Sequence, residues 1–167
     1  MLSPELILLS GKSGTGKTAL VQNLCSTVSA TNSFFVSGKF DQMKQSEPYT
    51  AFVTAFDRLC EIAVSNEKSS ADLREQSSIL AIKSALCSNI GSESALLTDI
   101  IPNLSLFFGN QQKPSINDPS ASIGYKTAKN RFDFLLRQFV RSFCGEKTLV
   151  LFLDDLQWAD VASLELL

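Results

Sequence analysis

Histidine is absent from this 167-residue chain. That excludes histidine-based triads and histidine metal centres, so any chemistry falls to carboxylates, Lys, Ser, Thr and backbone groups. Cysteine is scarce: Cys25, Cys60, Cys87 and Cys144 stand far apart with no CxxC pairing. The spacing reads as reduced, mostly buried thiols of an intracellular, cytoplasmic protein. Charge of one sign is lacking too, with 15 Lys and Arg against 17 Asp and Glu and a net charge of −2. Bulk electrostatics therefore gives no reason to expect nucleic acid or an anionic membrane as the main partner. No apolar run approaches the ~20 residues of a membrane span. The opening "MLSPELILLS" has no basic region, and its apolar core is too short for a secretory signal.

What is present is a hydrophobic content of 44%, enough to build the core of one domain of ordinary size. "ELILLS" (5–10) is a short apolar run ending at a glycine loop, the pattern of a buried parallel strand. "KTALVQNLCSTVSA" (17–30) has helical spacing at Leu20, Leu24 and Val28, and "SFFVSG" (33–38) reads as a second strand. After Pro48, Phe52, Phe56, Leu59, Cys60 and Ala63 recur at helical intervals. A further helix is expected over 71–90, with Ile79, Ile82, Leu86 and Ile90 on one face and Gly91 as its stop. Another is expected over 93–101, ending at Pro102. The polar stretch 109–124 is a surface loop. "KNRFDFLLRQFVRSF" (129–143) carries an apolar stripe through Phe132, Leu135, Leu136, Phe139, Val140 and Phe143. Arg131, Arg137 and Arg141 fall away from that stripe, a solvated helix face rather than a basic binding surface. "KTLVLFL" (147–153) is a third buried strand, and "ASLELL" begins a helix. Strands alternating with helices mean an α/β fold on a parallel sheet.

Residues 11–18 read "GKSGTGKT", the pattern G-x-x-x-x-G-K-[ST] between an expected strand and an expected helix. Gly11, Gly14 and Gly16 open backbone conformations closed to other residues and leave room for phosphate oxygens. The amides that follow would form an anion nest at a helix N-terminus. The candidate phosphate-binding set is Gly11, Ser13, Gly14, Thr15, Gly16, Lys17, Thr18 and Ala19. Lys17 would place its ammonium against the β- and γ-phosphates, a catalytic role. The Thr18 hydroxyl would be a ligand of Mg²⁺, a hard ion that prefers oxygen.

"VLFLDDLQWAD" (150–160) breaks from an apolar run into two adjacent carboxylates, a costly place for unpaired charge. An aspartate at the carboxyl end of a parallel strand is where a phosphate-bound Mg²⁺ finds its second protein anchor, which nominates Asp154. Asp155 has two readings: general base for the water attacking the γ-phosphate, which we favour, or N-cap of the following helix. Gln157 and Asp160 would support the base, although Asp160 is equally placed to cap the helix. Trp158 reads as a packing anchor more than as a nucleotide contact. No N-K-x-D motif for guanine is present, which points to ATP rather than GTP.

These two motifs together closely resemble the ATPase module of the AAA+/STAND group, as found fused to protein-kinase and histidine-kinase modules and in LuxR-type regulators. "GKFDQ" (38–42), "PYTAFVTAFDRL" (48–59) and "KNRFDFLLRQFVRSF" (129–143) match that family as well. The resemblance implies a P-loop ATPase domain over 1–167, with a helical insertion at about 49–108 and a parallel sheet of order 5-1-4-3-2. Strands 1, 2 and 3 are expected here. Strands 4 and 5 and the helical lid of the family have no counterpart in the sequence, so strand 1 is expected to lack its neighbour. The resemblance implies ATP and Mg²⁺ as ligands, slow hydrolysis as a conformational switch, and covalently linked signalling domains as partners; an oligomer is compatible with it. Asp155 stands where many AAA+ ATPases carry glutamate. Lys39 and Asp41 match the family without a role that the sequence assigns, and a loop-structural one is expected. The competing function is a non-enzymatic fragment or degenerate paralogue that acts through protein–protein contacts alone.

Overall fold

A computed structural model describes residues 4–29, 33–69, 72–108 and 125–167 of the protein. Two strands form its sheet, β1 (Phe34–Lys39) and β2 (Leu149–Asp154), paired in parallel from Phe34 beside Leu149 to Lys39 beside Asp154. Helix α1 (Lys17–Ser29) precedes β1. Between the strands run α2 (Thr50–Ser69), α3 (Leu73–Asn89), α4 (Ser94–Thr98), α5 (Ser105–Phe108) and α6 (Tyr125–Cys144), and α7 (Val161–Leu166) follows β2. The architecture is α/β with a parallel sheet. The second and third expected strands are neighbours in it, and a two-stranded sheet carries no further strand order.

β1 alternates because one face meets α2: Phe34, Val36 and Gly38 are buried, while Ser37 and Lys39 are exposed. Phenylalanine unifies the core. Ring centroids are 6.5 Å apart between Phe40 and Phe52, 5.8 Å between Phe52 and Phe56, and 5.2 Å between Phe56 and Phe139. The chain continues from Phe139 to Phe143 at 5.0 Å, and from Phe143 to Phe34 at 5.8 Å. This run of offset and edge-on rings ties α2, α6 and β1 into one body. The expected stripes of α2, α3 and α6 are the buried ones: Phe56, Leu59 and Ala63; Ile79, Ile82 and Leu86; Leu135, Leu136, Phe139 and Phe143. Arg137 and Arg141 face solvent, and Arg131 pairs with Glu93 at 2.6 Å.

Three expectations need correction. The first strand expected over 5–10 forms no strand: among the described residues it pairs with nothing, and Leu6, Ile7 and Leu8 are 71%, 85% and 72% exposed. An apolar run becomes a strand only where a neighbour accepts its backbone hydrogen bonds, and the implied order places this segment beside neither β1 nor β2. The helix expected over 93–101 is shorter, α4 ending at Thr98, and a separate 3₁₀ turn at Pro102–Leu104 follows beyond the expected span. Asp57 of α2 anchors that turn. Its carboxylate accepts from the Asn103 amide and side chain at 2.8 Å each, a tertiary anchor for the turn. Of the cysteines, Cys60 alone is buried, and burial pushes its thiol far above the usual range. Cys25 is half-buried, and Cys87 and Cys144 are exposed. The loop expected at 109–124 lies outside the described residues.

Candidate phosphate-binding and catalytic site

The glycine loop and the end of β2 meet at one edge of the sheet. Gly14 and Gly16 have φ of 80° and 84°, left-handed values that only glycine adopts cheaply. Between them the loop turns sharply enough for Thr15 Oγ1 to donate to the Lys12 carbonyl at 2.9 Å. The Leu20 amide then donates to the Gly16 carbonyl at 2.9 Å and begins the α1 ladder. That leaves the amides of the first turn of a 13-residue helix without intrahelical partners, at the positive end of its dipole. The Lys17 ammonium folds back over the loop and donates to the carbonyls of Gly11 and Lys12 at 2.9 and 3.0 Å.

One hydrogen bond joins the two motifs across 136 residues: Thr18 Oγ1 donates to Asp154 Oδ2 at 3.0 Å. The other oxygen, Asp154 Oδ1, accepts from the Asp155 amide at 2.9 Å. Hydroxyl and carboxylate thus sit side by side as two hard oxygen donors, an arrangement that suits Mg²⁺.

Asp155 adopts a left-handed conformation (φ 56°, ψ 45°), which turns the chain sharply as it leaves the sheet. Its Oδ1 accepts from Gln157 Nε2 at 3.0 Å, and its Oδ2 pairs with Lys39 Nζ at 3.2 Å. The Gln157 hydrogen bond, and then the Lys39 partner, hold its carboxyl below the usual range. The same hydrogen bond to Asp155 raises the Lys39 ammonium. Asp155 makes no side-chain capping bond. The N-cap of α7 is Asp160, whose Oδ1 accepts from the Ser163 amide at 2.8 Å. Asp155 thus stands at the N-cap position of the 3₁₀ turn Leu156–Trp158 without bonding it through its side chain, while the side-chain cap of α7 comes from Asp160, which does not line the cleft.

A cleft of about 390 Å³ is lined by Ser13, Gly14, Gly16, Lys17, Thr18, Ala19, Lys39, Asp154 and Asp155. Of the sequence candidates, Gly11 and Thr15 do not line it and make their bonds within the loop. Lys39 is the residue whose part the sequence left open. It ends β1 beside Asp154, and it lines both this cleft and a second one of about 400 Å³ that reaches Trp158. The rule that ligands gather at the carboxyl ends of parallel strands was the available signal for it. Asp41 caps the short turn Gln42–Lys44 by accepting from the Met43 amide at 2.9 Å, a loop-structural role. Trp158 packs partly buried against the core. No helix among the described residues is long and apolar enough to cross a membrane.

Comparison with known proteins agrees with this geometry. The family model of the AAA ATPase domain matches residues 2–167. The chain is 36% identical over 164 residues to hybrid signal transduction histidine kinase G of Dictyostelium discoideum, covering 98% of this chain and 4% of that protein. It is 25% identical over 173 residues to histidine protein kinase 1 of Candida albicans, again over 98% of this chain and 7% of that protein. The chain therefore spans a small fraction of the length of these relatives. No solved structure matches. A glycine cradle opening a helix, bonded through its threonine to an aspartate at the end of a parallel strand, and a family match over nearly every residue lead to one conclusion: the chain belongs to the AAA ATPase domain family.

Proposed function

We propose that this chain is an ATP-binding and slowly ATP-hydrolysing switch module of a larger signal-transduction protein, with other signalling domains linked to it. The observation that carries the reading is the Thr18–Asp154 hydrogen bond at the mouth of the glycine cradle. Gly14, Gly16 and the first turn of α1 bind the polyphosphate through backbone amides. Lys17 exchanges its two loop carbonyls for β- and γ-phosphate oxygens. Thr18 and Asp154 hold Mg²⁺, which when bound neutralises phosphate charge. Asp155 accepts the proton of the attacking water. The names of the relatives support the signalling context.

A specific observation also favours the non-enzymatic reading: both Asp155 oxygens are already engaged, by Gln157 and by Lys39. Substitution separates the two. Asp154→Ala is expected to abolish the Mg²⁺ dependence of ATP-analogue binding. Asp155→Asn is expected to leave binding intact and to slow phosphate release by about 10²-fold, at the low end of what a positioned base contributes. Equal phosphate release by parent and Asp155→Asn removes Asp155 as base, and no release above buffer from the parent selects the binding-only module.

Lys39 supplies a pH test. Its ammonium helps to hold the Asp155 carboxyl low, so the base stays ionised as pH falls. Lys39→Met lets that carboxyl rise toward its ordinary value. The acid limb of the pH–rate profile for kcat is then expected to move to higher pH; an unmoved limb shows that Asp155 is not the titrating base.

A further inference from the structure

Tyr49 has a left-handed backbone (φ 65°), rare for an aromatic residue and held only where its surroundings enforce it. It is buried, and it does not line the nucleotide cleft. Its carbonyl accepts from the Val53 amide at 2.9 Å and so opens α2. Its hydroxyl donates to Asp133 Oδ1 on α6 at 2.7 Å, and its ring lies 5.0 Å from that of Phe132 on the same helix. Its amide donates to Asp160 Oδ2 at 3.2 Å.

Asp160 does more than cap α7. Beyond the Ser163 amide, its carboxylate accepts from the Ser163 hydroxyl at 2.6 Å and from the Tyr49 amide. It also terminates a short, internally bonded turn. The Trp158 amide donates to the Asp155 carbonyl at 2.9 Å, the Ala159 amide to the Leu156 carbonyl at 3.0 Å, and Gln157 to the Asp155 carboxylate. Asp155 and Gln157 therefore sit in a rigid segment with one end fixed to the sheet by Asp154 and the other fixed at Asp160.

We propose that Asp160 and Tyr49 are positioning residues that clamp the Asp155 turn to the helical layer of α2 and α6. This rests on the reading of Asp155 as the base. The left-handed Tyr49 is explained by it, because in this conformation one residue starts α2 with its carbonyl and reaches Asp160 with its amide. The placement of Asp155 is thereby made to depend on how α2 and α6 sit.

Asp160→Ser isolates the clamp. Serine is as good an N-cap as aspartate, so α7 keeps its start. Its shorter side chain with one oxygen cannot serve both Ser163 and the Tyr49 amide. Trp158, the one tryptophan of the chain, lies inside the turn and reports its tightness through acrylamide quenching. Asp160→Ser is expected to raise that quenching about twofold and to lower kcat about tenfold. The Kd and KM for ATP should stay within twofold. Tyr49→Phe, which removes the hydroxyl bond to Asp133 and keeps the amide bond to Asp160, is expected to raise the quenching and lower kcat by less than Asp160→Ser does. Unchanged Trp158 quenching in Asp160→Ser overturns the clamp. Raised quenching with an unchanged kcat overturns the positioning role. If the parent binds ATP without hydrolysing it, the reading of Asp155 as base fails and this proposal falls with it, whereas turnover in the parent with an indifferent Asp160→Ser condemns the clamp alone.

Discussion

Replacing Lys17 with alanine is expected to weaken binding of a fluorescent ATP analogue about 10²-fold while leaving the fold in place. The ammonium now donates to two carbonyls of its own loop, both exposed, and water can take its place there. With nucleotide bound, no other side chain lining the cleft extends a cation from within the cradle; Lys39 reaches the cleft from β1 already paired with Asp155. Hydrogen bonds to charged groups contribute about 1.5–3 kcal/mol each in net terms, so the loss of one or two accounts for a factor of this size. The substitution touches no buried group, so the circular dichroism melting curve should overlay that of the parent. Equal affinity of the two proteins would remove the cradle from the account.

Gly38→Ala is expected to be among the most damaging substitutions for stability. A Cβ built on Gly38 would lie 2.0 Å from the carbonyl oxygen of Ala51 and 2.6 Å from its carbonyl carbon. Both are backbone atoms in the first turn of α2, so no side chain can rotate away. The strand and the helix must separate at their closest approach. Overpacking of this kind costs about 3 kcal/mol at the upper end of its usual range. For a domain of this size that lowers Tm by about 6–12 °C. The displacement also reaches the site, because Gly38 precedes Lys39 and Ala51 lies two residues after Tyr49. ATP affinity, which we assign mainly to the glycine loop, should suffer less than turnover. A Tm within about 2 °C of the parent would show that β1 and α2 are not locked together at this point.

The sequence by itself determined what is local or periodic. The cradle was legible because its glycines, Lys17 and Thr18 are contiguous, and the left-handed φ of Gly14 and Gly16 is a property of glycine before it is a property of the fold. The long helices were legible because apolar residues at 3.6-residue intervals need no knowledge of the partner that buries them. The Asp154–Asp155 pair stood out because charge at the end of an apolar run demands a reason. Tertiary structure decided the rest. "ELILLS" has the composition of a strand, but a strand exists only through another strand's hydrogen bonds, which no window of sequence reports. Asp155 and Asp160 are equally good caps on paper; the left-handed turn at Asp155 points one toward Lys39 and Gln157 and leaves the other over α7. Lys39 acquired a place only when parallel register set it beside Asp154. Tyr49 gave no signal at all, because its partners Asp160, 111 residues away, and Asp133 on α6 meet it only in the folded chain.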